Sequence, residues 1–375
     1  MAITSITAPS LATGVHVIVT NVSGGVNWSM RGRVKRRMTK LCQGIDNGIE
    51  TETIRRMQPL LLLSYGAPER QDDVVPFLNR LFSGKNVSAE RIAAAVQKYA
   101  SYAEKTGHYS PLNAECRKLI DGIRQIEPDL PIYWGNLFWH PLLVDTVAKM
   151  VQDGVKHAMC FATSAFDSPS GNQRYADALE TARQTVGANA PILEKLPLPF
   201  DHPFFIEAQA DRLLETLRIN VTAPPGGKNA PYILFTAHSI PVADAAQCHY
   251  VEQLQSTCRK VIRQCLLHRD ITTIPWELVY QSQSRNRGGN AAEHWLGPDI
   301  RERLRMLATE GCRSVIVSPI GFLCENMETE YDLDIEVGEC CSDLGIAFYR
   351  TKAVGATPLI CRLVQQLLQQ PEFTG

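Results

Sequence analysis

The chain contains 375 residues, of which 45% are hydrophobic, with 38 basic and 39 acidic side chains. This length allows two domains, each with a buried core. The balanced charge excludes a broad electrostatic attraction for nucleic acid or an anionic membrane. No apolar run approaches the roughly 20 residues of a spanning helix, so no transmembrane segment is predicted and any membrane contact would be peripheral.

The 11 cysteines are scattered and form no CxxC pair. This pattern argues against a secreted disulfide framework and favours a reducing, cytoplasmic location. Cys340, Cys341 and nearby Cys324 form the one local cluster, for which buried or free thiols are the simplest interpretation.

Residues 1–57 differ from the rest. They are rich in Ser, Thr, Gly and Val up to about Met30, and a basic run follows at 31–37. A secretory signal is a poor fit, because no compact basic region precedes an apolar one. We predict a flexible N-terminal extension. The alternatives are an upstream start codon, with Met57 as the true initiator, and a basic targeting segment.

Short apolar runs then alternate with amphipathic segments. In the first half, strands are predicted at 60–63, 132–134 and 158–163. Helices are predicted at 88–104, 116–123, 142–152 and 172–186, because apolar residues recur there at helical spacing. These elements predict a first α/β domain over residues 58–224.

The sequence Pro-Pro-Gly-Gly-Lys-Asn at 224–229 is a breaker cluster that separates the halves. Beyond it, strands are predicted at 232–236, 276–281 and 314–318, and helices at 245–267, 300–309 and 325–336. Asp299 is the expected N-cap of the second helix. We predict a second α/β domain over 225–356, and a last helix within 357–375 that packs back on the first domain.

Strands that alternate with helices indicate parallel sheets, and two such runs indicate two similar doubly wound domains. Ligands of this fold class bind beyond the carboxyl ends of the strands. The loops at 65–68, 163–166 and 319–322, together with His238, all follow predicted strands. We therefore expect the active site in the cleft between the domains.

Glu328, Asp332 and Glu336 are spaced i, i+4, i+8 and would share one face of a helix. Like charges in such a row destabilise the helix, so the row calls for an explanation. The three carboxylates form either a solvated acidic face or a set of oxygen ligands that passes a divalent metal towards an imidazole. His238 is either a structural histidine or a group that binds Fe²⁺, Co²⁺ or Zn²⁺ and accepts protons.

Several motifs, in order from about residue 58 to 370, resemble those of ferrochelatases. They are Ser64-Tyr-Gly-Ala-Pro68, Ser110-Pro-Leu-Asn113, Gly135-Asn136 through Asp145-Thr146, Thr163-Ser-Ala-Phe166, Phe235-Thr-Ala-His-Ser-Ile-Pro241, Tyr280-Gln-Ser282 with Trp295-Leu-Gly-Pro298, and Pro319-Ile-Gly-Phe322 followed by Glu328–Glu336. The motifs at 135–146 and 163–166 are similar to those of the monofunctional bacterial branch. This chelatase-like resemblance implies four-stranded parallel sheets flanked by helices.

The resemblance also implies roles for individual residues. His238 corresponds to the catalytic histidine that binds metal and receives pyrrole protons, and Glu328 to the catalytic glutamate that faces it and binds metal. Asp332 and Glu336 correspond to outer carboxylates that relay metal or protons. Tyr65 corresponds to a tyrosine that faces the macrocycle and can ligate iron from the other side.

Further porphyrin contacts are implied at Tyr65, Ser110, Phe166 and Trp295. The chain departs from the family pattern at four positions. Asn326 replaces a frequent histidine, Phe82 and Ser83 stand where many bacterial members carry paired arginines, and Asn172 replaces a cysteine that ligates a [2Fe–2S] cluster in some members. The presence of a [2Fe–2S] cluster is therefore not excluded, but it is not favoured.

The implied activity is that of a lyase of haem biosynthesis, which inserts Fe²⁺, its substrate, into a porphyrin and releases two protons. The bacterial-branch motifs favour coproporphyrin III, whereas the missing arginines argue against it and leave protoporphyrin IX open. The rivals are a cobalt or nickel chelatase for another tetrapyrrole and a non-catalytic haem-binding carrier. A nucleotide binder is disfavoured, because no Gly-rich phosphate loop follows a strand.

Overall fold

The structure is a computed structural model that describes residues 20–22, 25–27, 58–84, 87–220, 230–267, 275–283 and 294–369. The chain divides into two units, Met1–Arg56 and Met57–Gly375. In the first unit, β1 (Thr20–Val22) pairs antiparallel with β2 (Gly25–Asn27). The rest of the predicted flexible extension lies outside the described residues, as does the breaker cluster at 224–229.

Four parallel strands form the first sheet of the larger unit. They are β3 (Leu60–Ser64), β4 (Ile132–Asn136), β5 (His157–Ala162) and β6 (Ile192–Lys195), in the order β4-β3-β5-β6. The helices of this half are α1 (Gln71–Leu81), α2 (Ala89–Thr106), α3 (Leu112–Ile126), α4 (Leu143–Gln152), α5 (Arg174–Val186) and α6 (Pro203–Asn220). One wide helical turn, Pro169–Gln173, leads into α5.

The second sheet is also parallel. Its strands are β7 (Tyr232–His238), β8 (Trp276–Gln281), β9 (Ser314–Ser318) and β10 (Ala347–Arg350), in the order β10-β9-β7-β8. Its helices are α7 (Val242–Ala245), α8 (Tyr250–Leu267), α9 (Ile300–Thr309), the acidic helix (Glu328–Val337), α10 (Gly338–Asp343) and α11 (Pro358–Gln369).

Both sheets have the same topology. When strands are numbered within each sheet, the order is 2-1-3-4 in both cases. The two doubly wound four-stranded sheets confirm the predicted fold class. In this arrangement the order in which strands are added reverses between strands 1 and 3, and the crevice that binds ligands opens there, beyond the carboxyl ends of the strands. Here these are the ends of β3 and β5, and of β7 and β9.

The central strands are buried on both faces, as expected for parallel sheets. Leu60 and Leu62 of β3 share one hydrophobic cluster with Ile233 and Phe235 of β7. Residues of α3, α6, α8 and α11 belong to the same cluster, and α11 packs on α3 and α6. The opposite face of β3 packs against α4 and α5. A common core therefore joins the two sheets.

Several elements differ from the sequence expectations. The predicted helix 245–267 is interrupted at 246–249, and the predicted α-helix at 325–336 has the wider i→i+5 hydrogen bonding of a π-helix. The N-cap role of Asp299 is confirmed, because its carboxylate accepts from the backbone N–H groups of Arg301 and Glu302. The sequence pattern had not indicated α1, α6, α7, α10, β6 or β10.

The loop after β9 lies directly against the end of β7. The N–H of Gly321 donates to the carbonyl of Thr236, at 3.0 Å. A Cβ atom at Gly321 would lie 2.7 Å from the Cβ atom of Ala237, closer than packed atoms approach. Glycine is therefore required for this approach, which places the β9 loop beside His238.

Candidate active site

A cavity of about 410 Å³ opens at the carboxyl ends of the central strands. Its wall includes Tyr65 after β3, Thr163 after β5, His238 at the end of β7 and Phe322 after β9. These are the two places where the strand order reverses. The volume falls within the range of small-molecule sites.

His238 presents one ring nitrogen to the cavity as an acceptor. Its Nδ1 lies 2.5 Å from the carbonyl oxygen of Ser239. Because a carbonyl only accepts, Nδ1 carries the hydrogen, and the neutral ring keeps its lone pair on Nε2. The hydroxyl of Tyr250 donates to the His238 carbonyl, at 3.1 Å, and holds the backbone. The imidazole is therefore oriented to bind a metal or accept a proton through Nε2.

Glu328 lies beside this nitrogen in the cavity wall. Its Oε1 lies 3.8 Å from His238 Nε2, and both side chains are half-buried. The Nε2 lone pair and the Glu328 carboxylate therefore border the same small space. The structure thus brings together the two residues for which the sequence predicted a catalytic role.

Asn326 fixes the start of the acidic helix. Its Oδ1 accepts from the backbone N–H groups of Glu328, at 2.7 Å, and Thr329, at 3.1 Å. Asparagine is among the residues preferred for capping a helix N-terminus in this way. The Nε2 group of Gln281 also donates to the Glu328 carbonyl, at 3.1 Å. The residue that departs from the family pattern therefore holds Glu328 in place.

The other carboxylates of the acidic helix and its flanks have partners on distant elements. Arg350 of β10 pairs with Glu325, at 2.9 Å, and with Asp334, at 2.5 Å. Arg301 of α9 lies 3.5 Å from Glu336. These cations offset the repulsion that a row of like charges creates.

Asp332 is engaged at both carboxylate oxygens. Lys98 of α2 lies 2.5 Å from Oδ1, and the hydroxyl of Ser282 donates to Oδ2. The carboxylate is only 8% exposed, and the Lys98 side chain 32%. Neither Asp332 nor Glu336 lines the cavity that contains His238. The predicted relay would therefore have to displace existing contacts.

Tyr65 stands in an aromatic part of the wall. Its ring packs against Phe138, with centroids 5.2 Å apart, and against Tyr175, at 5.7 Å. Its hydroxyl donates to the carbonyl of Ser170. Burial raises the pKa of Tyr65 to about 12, although nearby Arg174 acts in the opposite direction. The phenol is therefore protonated at neutral pH and would have to lose this proton to ligate iron.

The remaining predicted porphyrin contacts divide into two groups. Ser110 and Phe166 line the cavity, and Phe166 packs between Phe205 and Tyr250. Trp295 does not line it; its backbone bridges to Pro241, in the loop that follows His238. It therefore supports that loop instead of forming the cavity wall.

Sequence reasoning missed two charged residues. Arg174 belongs to the cavity wall, and Lys98 of α2 contacts Asp332, from which it is 234 positions distant in the sequence. Neither residue belongs to any of the motifs identified in the sequence. The wall also contains Phe82, one of the positions at which the sequence was expected to depart from the family pattern.

The cysteines considered for a cluster lie in different settings. Cys341 is buried in the core under β9, Cys340 is half-buried, and Cys324 contacts Cys116. Asn172 donates to Asp167, at 3.0 Å, and accepts from Lys195. Among the described residues, no group of three or more His, Cys, Asp or Glu side chains is arranged to hold a metal ion.

Within the described part of the chain, every helix is too short or too polar to cross a membrane.

The contact between Lys98 and Asp332 predicts a measurable coupling. Asp332→Asn should lower the free energy of unfolding by about 1–3 kcal/mol, because it leaves a partly buried ammonium without its counter-charge. A double-mutant cycle with Lys98→Met, followed by urea unfolding, should show that the two changes are not additive.

A matched control is the pair Lys105–Glu339, which joins α2 to α10, directly after the acidic helix, at 2.9 Å, but is 46% and 65% exposed. Its cycle should give a coupling below about 1 kcal/mol. Equal coupling energies in the two cycles would contradict the structural role of Asp332.

Comparison with known proteins agrees with this site and fold. A family model described as Ferrochelatase matches residues 58–372. The Ferrochelatase of Rhodopirellula baltica is 38% identical over 317 residues, which cover 82% of this chain and 85% of that protein. The Coproporphyrin III ferrochelatase of Nocardia farcinica is 39% identical over 320 residues, which cover 84% of this chain and 88% of that protein.

Among solved structures, SirB from Bacillus subtilis with Fe³⁺ superposes with a TM-score of 0.52 at 11% identity, covering 83% of this chain and 96% of that one. This likeness supports the chelatase-like fold alone. The family match, together with the relatives above 30% identity, confirms the resemblance found in the sequence. The chain belongs to the ferrochelatase family, whose members are enzymes that insert a metal into a porphyrin.

Proposed function

We propose that this enzyme inserts Fe²⁺ into coproporphyrin III, with protoporphyrin IX as the alternative substrate. The observation that carries the proposal is the pair His238–Glu328, whose facing atoms lie 3.8 Å apart at the wall of the cavity. The relative from Nocardia farcinica is named for coproporphyrin III and supports that choice of porphyrin. A cytoplasmic location, predicted from the cysteine pattern, is part of the same proposal.

The reaction releases two protons. As Fe²⁺ enters the ring, each of two pyrrole nitrogens exchanges an N–H bond for a bond to iron. The lone pair of His238 Nε2 accepts a proton, since Nδ1 is already committed to the Ser239 carbonyl. Glu328 stabilises the resulting imidazolium, takes this proton from Nε2 and releases it to water, so that His238 can accept the second pyrrole proton by the same route. The wall around Tyr65 and Phe166 holds the flat macrocycle by apolar contact.

The role of the outer carboxylates in transport stays a hypothesis. A relay through Asp332 and Glu336 would supply iron or remove protons, and it requires Asp332 to leave Lys98. In that case Asp332→Asn should slow insertion more at low than at saturating iron. Equal slowing at both concentrations would leave Asp332 with a structural role.

His238→Ala tests the proposal most simply. We expect the rate of iron insertion to fall by about 10²–10⁴-fold, because the variant removes the proton acceptor. Steady-state assays with each porphyrin would measure this, and the urea midpoint would show that the fold is kept. His249→Ala is the control, since this histidine is exposed and pairs with Glu252.

Wild-type rates in His238→Ala would refute the assigned role. A wild-type protein that binds porphyrin or haem but inserts no iron would instead favour the non-catalytic carrier. Insertion of Co²⁺ or Ni²⁺ into a different tetrapyrrole, with no activity towards Fe²⁺, would favour the other chelatase class.

A further inference from the structure

Arg174 is a cation in the cavity wall without a carboxylate partner. Among the residues that the structure describes, no acidic side chain pairs with it, whereas Arg303 and Arg350 each contact two carboxylates. Its guanidinium lies over the Phe138 ring, 5.9 Å from the centroid, and the side chain is half-buried. This charge is therefore partly desolvated and available to an anion that enters the cavity.

The wall beside Arg174 is rich in hydroxyl groups. Ser164, Ser168 and Ser170 line the cavity, in the segment that leads into α5. A Cβ atom at Gly171 would lie 2.6 Å from Ser164 Oγ and 2.8 Å from Ser168 Oγ, so the glycine leaves room for both hydroxyls. A guanidinium binds a carboxylate through two parallel N–H donors, and neighbouring hydroxyls can supply a further one.

The opposite charge is scarce in this part of the site. Among the described residues of the wall, Glu328 is the acidic one, and it is associated with His238. Phe82 lines the same cavity and contributes only apolar surface. In the described part of the wall, Arg174 is thus the permanently charged cation that an anionic porphyrin would meet.

We propose that Arg174, supported by the hydroxyl of Ser164, binds a propionate of the porphyrin and makes the enzyme prefer the ring that carries carboxylates at more positions. This inference rests on the proposed function and deepens it. Coproporphyrin III carries propionates where protoporphyrin IX carries vinyl groups. A vinyl group at Arg174 would leave a half-buried guanidinium without a partner, which selects against that ring.

The test uses the full-length protein and three variants, Arg174→Gln, Arg174→Lys and Arg80→Gln. Arg80 is a matched control, because it lies over the neighbouring Trp139 ring, at 5.7 Å, but outside the cavity wall. Two measurements are made with each porphyrin: steady-state iron insertion, and binding of the metal-free porphyrin followed by fluorescence.

For Arg174→Gln we expect the KM and the Kd for coproporphyrin III to rise by about 10- to 100-fold, the loss of one charge-assisted contact. The change in kcat should be smaller, and the change for protoporphyrin IX should also be smaller. Arg174→Lys should retain part of the affinity, and Arg80→Gln should behave as wild type. Added salt should weaken binding to wild type more than to Arg174→Gln.

Equal Kd values for coproporphyrin III in wild type and Arg174→Gln would overturn the inference, as would a loss confined to kcat. Equal losses of affinity for both porphyrins would overturn the proposed role of Arg174 in choosing between them. The proposed function fails separately, if wild type inserts iron into neither porphyrin. The metal-free titration still decides the role of Arg174 in that case, because it does not depend on turnover.

Discussion

The charge of the acidic helix is the constraint on which the site depends. Five carboxylates lie within Glu328–Val337, and like charges at such spacing destabilise a helix. The fold relieves this repulsion with cations from other elements, namely Lys98 of α2, Arg301 of α9 and Arg350 of β10. These contacts tie the helix to both halves of the larger unit. Glu328 differs from its neighbours, because it faces His238 in the cavity wall.

The repeated topology explains why the site forms at this place. Each sheet has the order 2-1-3-4, so each opens a crevice between its first and third strands. The cavity wall takes residues from the ends of β3, β5, β7 and β9, which border both crevices. A common hydrophobic core joins the two sheets beneath them. The two crevices therefore meet in one cavity, and the close contact of Gly321 with Ala237 places the β9 loop beside His238.

Sequence patterns predicted the features that depend on local spacing. The central strands, the N-cap at Asp299 and the residues His238 and Glu328 all follow from periodicity, motifs and position after a strand. Contacts between distant segments could not be predicted in this way. Lys98 and Asp332 are 234 positions apart, and nothing near either residue indicates the other. Arg174 begins α5, and the periodicity of that helix marks only its apolar positions, so only the folded cavity distinguishes Arg174 from a surface arginine. The short edge strands β6 and β10 offer too few residues for a clear pattern.

The central claim is that the chemistry uses Glu328, whereas the neighbouring carboxylates hold the helix. The most direct measurement compares iron insertion by Glu328→Gln and Glu330→Gln. Glu330 lies on the same helix but contacts Tyr102 and His108. The account predicts that Glu328→Gln lowers kcat by about 10²–10⁴-fold, since it removes the group that stabilises protonated His238, while Glu330→Gln stays near the wild-type rate. Similar rates in the two variants, with both proteins folded, would contradict it.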